Sequence, residues 1–185
     1  MTRRPNSFLF LAQLTLVATF FAYVPAYAEN ANNKELETYA KSPTLTQKTI
    51  LFTPPKGWKP VEASALSPAV KAMVVGNGEH EYPPSINLAT EEYSGTLKEY
   101  LKIIKSINQA QGTEWKDLGI IRTEAGSANL SQVDSKTEWG DVRMMHVILL
   151  KDGTVYILTA TSLKEEFPKF YRDFFSSMSS LRFQK

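Results

Sequence analysis

The stretch Val142-Arg143-Met144-Met145-His146-Val147-Ile148-Leu149-Leu150 decides the fold class. Read with the period of two that a strand imposes, one face carries Val142, Met144, His146, Ile148 and Leu150, and the other carries Arg143, Met145, Val147 and Leu149. Both faces are mainly apolar, so the strand belongs in the middle of a sheet that is covered on both sides. The Lys151-Asp152-Gly153 segment that follows is a hairpin turn leading into a second apolar run, residues 154–161. The expectation is an α+β chain, a central antiparallel β-sheet flanked by helices on both faces in an α/β/α sandwich.

The neighbouring segments supply the rest of that sandwich. Residues 116–123, 127–134 and 139–151 read as strands, and Gly126 marks a turn. Upstream, residues 85–92 alternate, with Ile86, Leu88 and Thr90 on one side and Asn87, Ala89 and Glu91 on the other. Val70 to Val75 is a further β-prone stretch, ended by Gly76-Asn77-Gly78, and Tyr82-Pro83-Pro84 makes a stiff extended connection. Residues 46–52 are β-rich, and Pro54-Pro55-Lys56-Gly57 before Trp58 predicts a hairpin whose aromatic faces inward.

Two helices are expected. Leu97, Tyr100, Leu101, Ile104 and Ile107 follow helical spacing over residues 97–111, with Thr96 and Glu99 spaced as a capping box and Gly112 to end the last turn. Lys98, Lys102 and Lys105 form the polar face of that helix, read here as solvated. A second helix carries Phe167, Phe170, Tyr171, Phe174, Phe175 and Met178, an aromatic stripe assigned to core packing. Ser162 with Glu165 could cap it, and Pro168 leaves its start open. Ser180-Leu181-Arg182-Phe183 reads as a tail returning to the domain edge.

The first 28 residues read as a signal peptide. Arg3 and Arg4 precede an apolar run of about 17 residues, 8–24, and Ala26-Tyr27-Ala28 has the small-x-small form of a signal-peptidase site, with Ala26 and Ala28 as its small residues. The run falls short of the roughly 20 apolar residues that a span needs. Cleavage would leave Glu29 first and no stable membrane span. Residues 29–43 form a polar leader, either a short helix capped by Asn33 or a segment without fixed structure, and residues 44–185 form a single domain without repeat or linker. The expected location is the periplasm or the extracellular medium.

Composition removes several chemistries. The 185 residues contain no Cys and only 2 His, so thiolate metal sites and cysteine nucleophiles are excluded. All 19 acidic residues lie beyond position 28, and without Arg3 and Arg4 the remaining chain balances to zero formal charge, which argues against a nucleic-acid partner. Glu79-His80-Glu81 is the only close ligand cluster in the sequence; adjacent residues of an extended loop point apart, so it reads as solvated, and neither metal nor cofactor is expected. Gly126-Ser127-Ala128-Asn129 lacks the second glycine of a nucleophile elbow, and Walker and dinucleotide motifs are missing.

Five segments in order, Phe52-Thr53-Pro54-Pro55-Lys56-Gly57-Trp58, Ser85-Ile86-Asn87-Leu88, Gly95-Thr96-Leu97-Lys98-Glu99-Tyr100, Asp152-Gly153-Thr154-Val155-Tyr156 and Ser180-Leu181-Arg182-Phe183, resemble the PsbP-like group. That group takes in the extrinsic photosystem II protein PsbP, the Mog-type Ran-binding protein and small exported bacterial proteins of unknown function, and the resemblance covers residues 48–183. It implies an antiparallel sheet between helices and a non-catalytic role, because members with known roles dock on a photosystem or a small GTPase. Neither partner transfers to this chain, which also lacks the lipid-bearing Cys of many exported bacterial members.

The functional expectation is therefore an exported, non-catalytic PsbP-like binding or assembly module with an unknown protein or small-ligand partner. Tyr82, Trp115 and Trp139 lie near predicted loops or strand edges and are the candidate partner-binding residues, unless all three finish the core. The alternative is an exported hydrolase using carboxylates or His146, which otherwise reads as a hydrogen-bonded core histidine.

Overall fold

A computed structural model describes residues 50–184. The expected signal peptide with Ala26 and Ala28, the polar leader, and residues 44–49 lie outside the described residues.

The strands are β1 (Ile50–Leu51), β2 (Lys59–Pro60), β3 (Val70–Val75), β4 (Ser85–Glu92), β5 (Glu114–Thr123), β6 (Gly126–Thr137), β7 (Gly140–Lys151), β8 (Thr154–Leu163) and β9 (Arg182–Phe183). The helices are α1 (Leu97–Ala110) and α2 (Phe167–Ser179). Seven strands form one antiparallel sheet in the order β2-β3-β4-β8-β7-β6-β5. The doubly apolar β7 and the wholly buried β8 lie inside it, as the pattern of residues 142–150 predicts. Their hairpin turns on Asp152 and Gly153, both at positive φ, 50° and 75°, which matches the strand twist.

Each face has its own cover. On one, Phe167, Phe174 and Met178 of α2 pack against Met145, Val147, Leu149 and Leu158. On the other, Tyr100 and Ile104 of α1 pack against Ile148, Val155 and Ile157. The capping box that opens α1 is formed: the Thr96 hydroxyl accepts from the Glu99 N–H at 3.3 Å, and Glu99 Oε2 accepts from the Thr96 N–H at 2.8 Å. Beyond the end of α1, the same face is closed by Tyr82 and Trp139 over Met144, Val133 and Leu163.

Two local expectations are corrected. The hairpin around Pro54-Pro55-Lys56-Gly57 does not form between neighbouring strands, because β1 pairs with the chain-distant β9, Ile50 opposite Phe183. Trp58 does turn inward, edge-on to Phe170 and Phe174 with centroids 6.2 and 5.8 Å away. It packs so closely over Gly76 that an added Cβ would stand 2.5 Å from the indole, so the turn after β3 must be glycine. Ser162 does not cap α2, since β8 runs through it to Leu163 and its hydroxyl donates to the Leu163 carbonyl at 3.1 Å. The regular helix begins at Phe167, which puts Pro168 in its first turn, where a missing N–H costs little.

A candidate binding groove beside Trp115

Register across the sheet builds the α1 face residue by residue. Asn87 stands opposite Thr159, Thr159 opposite His146, His146 opposite Ser131, and Ser131 opposite Asp117. A row of polar side chains therefore crosses five strands between the apolar patch under α1 and the patch under Tyr82 and Trp139. Ser85 Oγ, Asn87 Nδ2, Ser131 Oγ, Asn129 Oδ1 and Trp115 Nε1 on this face are buried without a hydrogen-bond partner among the described residues. Buried polar groups are ordinarily paired, so their concentration on one face sets it apart from the rest of the core.

His146 lies in the middle of this row. It is enclosed, its Nδ1 is 3.0 Å from Thr159 Oγ1, and burial pushes its pKa down to about 4. Tyr82 is 1 % exposed, and its hydroxyl is 3.1 Å from Thr161 Oγ1. Its ring meets Trp139 with centroids 5.7 Å apart, so Tyr82 finishes the core instead of presenting an anchor to solvent. Trp139 is half-buried beside a hollow of about 420 Å³ that Asp141, Lys164 and Glu165 also line.

Trp115, on β5, is also half-buried, and it packs against both the patch under α1 and the patch that Tyr82 and Trp139 cover. It lines a groove of about 650 Å³ between α1 and the β5–β6 end of the sheet. Leu97 and Leu101 of α1 form one wall and Trp115 and Ile120 the other, and Lys98, Lys102 and Lys105 stand along it. The lysine row that reads as a plain solvated face is thus also the basic rim of a groove. Asp117 Oδ1 accepts from Asn129 Nδ2 at 2.9 Å and from the Gly119 N–H at 2.9 Å, which fixes the amide and leaves Asn129 Oδ1 without a partner. Ile120 of this lining is 79 % exposed and nearby Leu118 is 47 % exposed on β5, a strand that among the described residues pairs only with β6.

Neither Asn129 nor the lysine row stands out in the sequence as a binding group. A lysine every three or four residues is what any amphipathic helix shows, and only the helix's position over β5 turns that row toward a cleft.

No family model matches the chain, and no curated protein is significantly similar to it. Among solved structures the fold is similar to LpqN of Mycobacterium tuberculosis, a protein involved in cell envelope biogenesis, with 15% identity, a TM-score of 0.53, and coverage of 74% of this chain and 84% of that one. Cyanobacterial PsbP from Synechocystis aligns over 76% of this chain and 90% of its own at 15% identity and a TM-score of 0.48. The Ran-binding protein Mog1p of Saccharomyces cerevisiae aligns over 70% and 82% at 17% identity and 0.44. Among the described residues no helix is long and apolar enough to cross a membrane.

Proposed function

We propose that this chain is an exported, non-catalytic binding module, cleaved after Ala28 and folded as one domain from about residue 44, that docks a partner protein in the groove beside Trp115. One observation carries the reading: an apolar cleft under Lys98, Lys102 and Lys105 runs out onto an edge strand whose Leu118 and Ile120 face solvent. A sheet edge offers unpaired N–H and C=O groups to an extended segment, the leucines and Trp115 offer pockets for alternate side chains, and the lysines select a segment that is acidic as well as apolar. A small ligand would use the cleft but would leave Leu118 and Ile120 uncovered.

The hydrolase alternative has less support. His146 is neutral and enclosed, bonded to a threonine, and a general base needs reach to a substrate proton.

The test is recovery of the protein with its partner from envelope and culture fractions, comparing wild type with a Lys98→Glu, Lys102→Glu, Lys105→Glu variant and with Trp115→Ala. N-terminal sequencing of the recovered chain is expected to begin at Glu29. The expected result is a partner held by wild type, released by raised salt, and weakened at least about tenfold by the charge reversal in a variant that still folds. Equal recovery by wild type and both folded variants would refute the groove as the docking surface.

A further inference from the structure

Glu166 stands immediately before α2 and is a buried carboxylate, 2 % exposed. Its side chain makes no capping hydrogen bond to the helix, and Pro168 in the first turn has no N–H to offer. Oε1 accepts one bond, from the Glu79 N–H at 3.1 Å, while Oε2 is buried without a hydrogen-bond partner among the described residues. Burying a carboxylate costs several kcal/mol unless a cation or a full set of donors answers it. The nearby Lys169 does not bond to it, because its Nζ donates to Glu79 Oε1 at 2.8 Å.

The loop between β3 and β4 brings two further ligands to that carboxylate. A carboxylate oxygen of Glu79, a ring nitrogen of His80 and a carboxylate oxygen of Glu166 lie within 4.8 Å of one another. The backbone at Gly78 presses on the same point, since a Cβ there would stand 3.5 Å from Glu166 Oε2. Glu79 and His80 are exposed, their side chains engaged only by the surface side chains of Lys169 and Glu165 among the described residues, whereas Glu166 is buried. The sequence presents Glu79-His80-Glu81 as a solvated triplet; the fold leaves Glu81 out and supplies Glu166 from 87 residues further along than Glu79.

We infer that Glu79, His80 and Glu166 form a binding site for a divalent cation of zinc-like preference. One imidazole and two carboxylates are a donor set that zinc accepts, with a remaining position for water. Metal–ligand bonds of about 2.0–2.2 Å bring ligand atoms to roughly 3.3 Å from one another, a closure of at most about 1.5 Å for the two exposed side chains. The ion would neutralise the orphaned Glu166 oxygen, displace Lys169 from Glu79 and His80 from its contact with Glu165 at 3.3 Å, and cross-link the β3–β4 loop to the start of α2. In a chain without cysteine it would serve where a disulfide cannot.

The test is calorimetric titration of the purified protein, prepared without a polyhistidine tag and stripped with chelator, with zinc chloride. Wild type is expected to bind one zinc per chain at micromolar or tighter Kd, with a rise in Tm on saturation. His80→Ala and Glu79→Gln, both at exposed positions, are expected to weaken binding at least about tenfold while leaving the zinc-free Tm unchanged. Glu166→Gln is expected to abolish binding while the domain still folds, because the amide has the same shape and its oxygen can still accept from the Glu79 N–H. Undiminished binding by folded His80→Ala, or no heat from wild type up to about 100 µM zinc, would overturn the assignment.

Discussion

Phe174→Ala is expected to destabilise the fold by about 3–5 kcal/mol, the range for deleting a fully enclosed aromatic side chain. Phe174 has no exposed surface and sits where α2 meets the sheet, with Phe167, Phe170 and Trp58 ring centroids 5.1, 6.0 and 5.8 Å away. Truncation leaves a cavity that those three rings cannot fill without leaving their own positions. A domain of this size has a total stability of roughly 5–15 kcal/mol, so the variant stands near the edge of folding. Urea unfolding followed by tryptophan fluorescence measures the loss. A parallel change at the neighbouring exposed ring, Phe175→Ala, at a side chain 39 % exposed, is expected to cost far less. Equal losses for the two would show that α2 does not pack through the Phe174 face.

The second large effect is expected in the pH dependence. His146 has an ordinary value of 6.5, and burial holds it at about 4 in the folded state, so the unfolded chain binds a proton that the folded chain refuses. The associated stability is fully present above pH 6.5, declines as pH falls through the window, and is lost once pH passes the folded value of about 4. The difference corresponds to roughly 3 kcal/mol. His146→Gln, which keeps a polar group beside Thr159, is expected to flatten the urea midpoint between pH 6.5 and 4. A slope that survives the substitution would place the acid sensitivity elsewhere.

Below that window a different group takes over. Asp134 accepts from Arg143 Nε at 2.8 Å and Nη2 at 2.7 Å, with Lys164 Nζ 2.9 Å away. Arg143 is the first cause of its lowered pKa, about 2 against the usual 3.8, so its contribution is present above pH 3.8 and lost as pH falls through 2. The two losses are therefore ordered, histidine first and carboxylate second.

The readable parts of this fold are those set by short-range physics. A period of two over residues 142–150 places β7 mid-sheet because the two faces of a strand are decided by neighbouring positions. The spacing of Leu97, Tyr100, Leu101 and Ile104 places α1, and Thr96 with Glu99 places its start, because a cap acts across three residues. The β7–β8 turn follows from Asp152-Gly153 for the same reason. The pairing of β1 with β9 is invisible to such rules, since the partners of Ile50 and Leu51 come from the far end of the chain.

The same division separates the two surfaces. Trp115 is nameable from sequence as a large ring near a strand edge, but its exposure depends on how far α1 reaches over β5. Tyr82 reads the same way and lands in the core, because the loop that carries it folds onto Trp139 and Thr161. Glu79 and His80 are visible as neighbours, whereas Glu166 enters only when α2 starts beneath their loop. Sequence by itself determined the six longer strands β3 to β8, the helices α1 and α2 and the thiolate chemistries closed to a chain without Cys, because each rests on residue type and on contacts a few positions apart. Tertiary structure alone decided which lysines rim a groove and which carboxylate keeps a buried oxygen with no hydrogen bond among the described residues, because both depend on the packing of segments distant in the chain, where burial sets what a polar group costs.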